Sequence, residues 1–151
     1  MSTETRDRLA ADVKAAMKAG EKNRLATLRL IAAAFKQFEV DERAEVDDER
    51  AIELLTRMAK QRRESIEQYS SAGREELAAQ ERFELDIINA YLPAQLDAAE
   101  LEAHVAAAIA STGASGMRDM GKVMGVLNGE LKGRADMAAV SAMVKTRLAG
   151  Q

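Results

Sequence analysis

The stretch Glu84–Asp97, "ELDIINAYLPAQLD", decides how this chain folds. It begins as an amphipathic helix, with Leu85, Ile88, Tyr91 and Leu92 on one face. It then reaches Pro93, the only proline in 151 residues. Proline lacks the backbone N–H and pushes the preceding residue out of the helical region, so the helix is expected to run to Leu92 and stop there. A new start follows at once. Asp97 and Glu100 have the spacing of a capping box, and Leu96 is placed to staple onto Leu101. The chain is therefore expected to divide into an N-terminal helical domain, 1–93, and a C-terminal module, 94–151.

Working outward, every strong periodicity is near 3.6 residues and no alternating strand pattern emerges. Leu9, Val13, Ala16 and Met17 predict a first helix, stopped at Gly20. Leu25, Leu28, Ile31, Ala32, Phe35 and Phe38 predict a second. An acidic connector leads to Asp47, a cap for a third helix carrying Ile52, Leu55, Ala59, Arg62, Ile66 and Tyr69. That helix breaks near Gly73, and the fourth runs into Pro93. Beyond the proline, a fifth helix holds Leu101, Val105 and Ile109 and stops at Gly113. A sixth covers "MGKVMGVLNGEL" (residues 120–131), and a seventh begins near Asp136 with Met137, Val140, Val144 and Leu148 inward. The fold class is all-α: an N-terminal hairpin bundle of about four helices, then a three-helix module. Helices as short as the last three need mutual packing to persist.

Composition narrows the chemistry. Cysteine is absent, which removes disulfides, thiolate catalysis and thiolate metal sites. Aromatic residues make up 3% of the chain, so the core must be aliphatic, with methionine filling gaps. No apolar run approaches the ~20 residues that a spanning helix needs, and "MSTETRDRLAADVK" lacks a signal peptide's apolar stretch. A cytoplasmic protein without membrane contact is expected. Phosphate-loop, dinucleotide and nucleophile-elbow motifs are missing. His104 is the only histidine and reads as a helical residue beside Leu101 and Val105. Glu81, Glu84 and Asp86 cluster on the fourth helix, but a dinuclear metal bundle wants a Glu-x-x-His on two helices. Pairing with arginines of the third helix explains these acids better. No catalytic residue, cofactor or metal is expected.

The sixth helix poses the sharper question. Gly121, Gly125, Gly129 and Gly133 recur every four residues, although each helical glycine costs roughly 1 kcal/mol relative to alanine. At about 100° per residue, Met120, Met124, Leu127 and Leu131 share one face, with Val123 at its edge, and the glycines drift along the other side. Lys122 and Lys132 flank them, and Gly133-Arg134 extends the strip into a turn. From Gly113 onward 6 basic residues stand against 3 acidic ones, although the whole chain is at −3. A smooth, cation-bordered backbone suits close approach of an anionic phosphate–sugar chain. It also suits a closely packed neighbouring helix, and Gly129 or Gly133 can equally end a helix. After Tyr91 there is no aromatic residue, so a stacking platform for single-stranded bases is excluded from this module.

Three segments, "AMKAGEKNRLATLRLIAAAFKQFEVD", "ELDIINAYLPAQLD" and "GASGMRDMGKVMGVLNGELKGRAD", resemble the GatB/YqeY family in order and spacing. Relatives in that family include the tail of the B subunit of tRNA-dependent amidotransferases, which convert Glu-tRNA(Gln) or Asp-tRNA(Asn) to the amide, as carbon–nitrogen ligases with glutamine as amido-N donor. The resemblance implies contact with the tRNA elbow through the C-terminal module. The RNA-binding residues it points to are Gly121, Lys122, Gly125, Lys132, Gly133 and Arg134. It does not carry over the amidase or phosphorylating machinery, so a non-catalytic tRNA-binding accessory protein is expected. The alternatives are a protein-interaction module docking a partner helix, and a subunit active only within a complex.

Overall fold

The computed structural model describes residues 1–150. Among them are seven α-helices and no strand: α1 (Glu4–Ala19), α2 (Lys22–Glu42), α3 (Asp48–Ser71), α4 (Glu75–Asn89), α5 (Ala98–Thr112), α6 (Met120–Leu131) and α7 (Met137–Ala149). A 3₁₀ turn, Met117–Asp119, leads into α6. The chain forms two compact units, Met1–Pro93 and Ala94–Gln151.

Local chemistry sets most boundaries. Gly20, Gly73 and Gly113 adopt left-handed conformations, with φ of 71°, 72° and 68°, just past α1, α3 and α5. That conformation is nearly free for glycine and costly for other residues. Asp47 accepts from the Arg50 N–H at 2.8 Å and caps α3. Asp97 accepts from the Glu100 N–H at 2.8 Å while Glu100 accepts from the Asp97 N–H at 3.2 Å, completing the capping box of α5. Asp136 accepts from the Ala138 N–H and opens α7.

One boundary differs from the sequence reading. Helix α4 ends at Asn89, before Tyr91 and Leu92. The Tyr91 and Leu92 N–H groups bond to the carbonyls three residues back, Ile88 and Asn89, at 3.0 and 3.1 Å. The chain thus tightens into turns ahead of the proline, and the proline's influence reaches back through that tightening. Tyr91 remains buried there. Its hydroxyl donates to Asp12, and the Arg8 guanidinium lies 4.5 Å from its ring centre. Burial, and then Asp12, push the phenol's pKa up.

The first unit buries Leu28, Ile31 and Phe35 of α2 against Leu9 and Ala16 of α1, Leu55 and Ala59 of α3 and Ile88 of α4. Helices α3 and α4 are also tied by charge. Arg62 Nη2 lies 3.2 Å from Glu84 Oε1, and Arg62 Nε lies 3.8 Å from Glu81 Oε2. Gln80 donates to the second Glu84 oxygen at 3.4 Å. Glu84, read in the sequence as part of an acidic cluster, is buried, and this pairing is what makes its burial tolerable. Burial and then Glu84 raise the Glu81 pKa, with Arg62 opposing. The Arg62→Met variant strands Glu84 without its cation, and urea unfolding followed by far-UV circular dichroism should show a loss of about 3 kcal/mol.

Candidate functional site

The core of the second unit is aliphatic. Leu101, Val105, Ala108 and Ile109 of α5 meet Val123, Leu127 and Leu131 of α6 and Val140, Val144 and Leu148 of α7. On α6 the fully buried residues are Val123, Leu127 and Leu131, while Met120 and Met124 are half-buried. The inward face is therefore centred on the Val123–Leu127 side rather than on the methionines. Met137 is likewise half-buried, at the margin of the core.

That orientation turns the glycines outward. Gly121, Gly125 and Gly129 are exposed, and a Cβ added at any of them would meet nothing within 4 Å. Neither α5 nor α7 packs on this strip, so close packing within the unit does not explain it. Their φ angles are not in the left-handed region, so no turn requires them either.

The flanking positions divide into two groups. Lys122 and Lys132 are exposed, and Asn128, which the sequence reading passed over, lies on the same outward arc. Gly133 and Arg134 have a different setting. Gly133 is buried at φ 76°, and its carbonyl accepts from Gln95 Nε2 at 2.6 Å. Arg134 is half-buried; its Nε donates to the Ala94 carbonyl at 3.4 Å, and its own carbonyl accepts from the Leu96 N–H at 3.0 Å. These two residues form the α6–α7 turn and fasten the segment after Pro93 to it. The open strip therefore consists of Gly121, Lys122, Gly125, Asn128 and Gly129, with Lys132 at its end.

Two side-chain contacts fix α6 at its ends. The Asp119 carboxylate accepts from the Ser115 N–H at 3.0 Å, and this bond, with Lys122 and Arg118 nearby, holds its pKa below the usual value. His104 Nδ1 lies 3.4 Å from Glu130 Oε2, on the flank away from the glycines. His104 is thus a half-buried helical residue linking α5 to α6.

Sequence reasoning also missed a denser cationic stretch. Val13–Phe38 holds 6 basic residues and 1 acidic residue, a larger excess than that of the glycine-bearing end. The balance of −3 over the first 92 residues conceals it, because the acids of that unit gather elsewhere.

Two outcomes follow from this geometry. Changing Gly121, Gly125 or Gly129 to alanine should raise the denaturation midpoint, each by the equivalent of about 1 kcal/mol, because an exposed helix gains propensity and the added methyl crowds nothing. The advantage of wild type over Asp119→Asn should be complete above about pH 4 and should disappear as pH falls through the lowered Asp119 pKa, as read by stability curves collected across that range.

Comparison with known proteins places the molecule. A family model described as "Yqey-like protein" matches residues 6–148. "Altered inheritance of mitochondria protein 41, mitochondrial" of Eremothecium gossypii is 34% identical over 87 residues, covering 57% of this chain and 48% of the relative. The protein of the same name from Pyrenophora tritici-repentis is 31% identical over 131 residues, covering 85% of this chain and 71% of the relative. The chain thus spans about half the length of the first relative and most of the second. No helix among the described residues is long and apolar enough to cross a membrane. With the match running through α1 to α7, across both compact units, the chain belongs to the YqeY-like protein family.

Proposed function

We propose that this chain is a non-catalytic, cytoplasmic tRNA-binding accessory protein, related to the tail of the Asp/Glu-tRNA amidotransferase B subunit. The glycine face of α6 is its contact with the folded RNA backbone. The observation that supports this most directly is the open space over Gly121, Gly125 and Gly129, bordered by Lys122. Three exposed glycines in a helix of 12 residues cost stability and return no contact within the fold. A ligand that must approach the backbone closely gives them a use. Phosphate is suited to the lysines, and the absence of aromatic residues from this unit favours recognition of folded shape over splayed bases.

Such binding is electrostatic and falls with salt in proportion to the phosphates neutralised. In a titration of folded tRNA, Lys122→Ala combined with Lys132→Ala should weaken binding and lower the salt slope by about 1 for each phosphate no longer neutralised. Gly125→Leu should weaken binding at every salt concentration without lowering the slope, because it obstructs approach and removes no charge. An unstructured single strand of equal length should bind less tightly than tRNA. If both variants titrate like wild type, the glycine face is not the RNA contact.

A further inference from the structure

The first unit carries a second unpartnered surface, on the outer side of α2. The inner side of that helix buries Leu28, Ile31 and Phe35. Opposite them, Ala26, Leu30, Ala33, Gln37 and Val40 are all exposed, at intervals of four, three, four and three residues. Leu30 is 48% and Val40 60% exposed. This is the spacing of a coiled-coil seam, running about 21 Å along the helix.

One edge of the seam is cationic. Lys22, Arg29 and Lys36 recur every seven residues and are all exposed. None of the three is ion-paired among the described residues, whereas Arg24 of the same helix pairs with Glu21 at 3.5 Å and Arg6 of α1 with Glu39 at 3.1 Å. A seven-residue interval keeps the three charges along one line parallel to the seam, in the position from which coiled-coil helices pair with a partner's charges.

The combination selects the occupant. An RNA would leave Leu30 and Val40 unused, and a lipid surface is poorly served by a strip that contains no aromatic residue. A second copy of this chain laid antiparallel on the same face would bring cation row against cation row. Laid parallel, it would set two of the three cations against Thr27 and Ala34, which carry no charge, and only Lys36 against an acid, Asp41. We propose that the outer face of α2 docks an acidic amphipathic helix of another protein: apolar side chains fill the seam over Ala26, Ala33 and Val40, and carboxylates pair with Lys22, Arg29 and Lys36. This surface is independent of the glycine face of α6.

The test uses the full chain and two synthetic helical peptides of about three heptads. Both carry leucine at the seam positions; one carries glutamate on both flanks and the other lysine. Their like charges keep each peptide from pairing with itself. In fluorescence anisotropy the glutamate peptide should bind wild type and the lysine peptide should not. Arg29→Glu combined with Lys36→Glu should weaken the glutamate peptide by about tenfold or more and admit the lysine peptide, since like charges across such a seam oppose association. Leu30→Asp should weaken whichever peptide binds. All three sites are exposed, so melting curves should stay close to wild type, and tRNA titrations should be unaffected. Equal binding of both peptides overturns the proposal. So does no binding up to about 1 mM, the weak end of measurable association. It is equally overturned if the double charge reversal costs tRNA or anionic-vesicle affinity instead, or if the wild-type chain dimerises through this face.

Discussion

Helix α6 persists only because its one aliphatic edge is locked between α5 and α7. It has 12 residues, too few to be stable in water alone, and three of its exposed positions are glycine. Those glycines together oppose the helix by about 3 kcal/mol. Val123, Leu127 and Leu131, all fully buried, each contribute about 1.5–3 kcal/mol by leaving water. Burial therefore wins, and it wins only while α5 and α7 are in place. The same arrangement decides which side of α6 faces outward, so the packing of the second unit and the exposure of its glycine face are one fact.

Much of the fold was legible because its punctuation is chemical. Left-handed glycines and aspartate caps act within one helical turn, and residue identity alone exposes them. The end of α4 was less legible: a proline announces that a helix must stop, but the tightening over Ile88–Leu92 that sets where it stops depends on what Tyr91 packs against. Glu84 looked like one acid among several, and only its position opposite Arg62 made it a buried anchor. Gly133 looked like a fourth member of the glycine series. Spacing could not separate it from Gly121, Gly125 and Gly129, because what distinguishes it is its backbone angle and the Gln95 side chain bonded to its carbonyl.

Charge was legible in total and misleading in its averages. The first unit is acidic overall, yet α2 from Lys22 to Phe38 carries Lys22, Arg24, Arg29 and Lys36 and no acid. Its acids, Glu39, Asp41 and Glu42, gather at its C-terminal end, where Glu39 pairs with Arg6, and Glu84 of α4 is drawn into a pair with Arg62. Where an arginine faces an acid across a helix interface, the two neutralise one another and vanish from the exterior field. What remains outside is set by the cations that have no such neighbour. A net charge of −3 is thus compatible with two separate positively bordered surfaces, one on each unit.

All five aromatic side chains, Phe35, Phe38, Tyr69, Phe83 and Tyr91, belong to the first unit, and there is no tryptophan. Near-ultraviolet absorbance and intrinsic emission of the intact molecule consequently originate in residues 1–93 alone, and the carboxy-terminal trio contributes no chromophore to either signal. A tryptophan introduced there would be the sole chromophore of its kind, able to give that half an optical voice of its own.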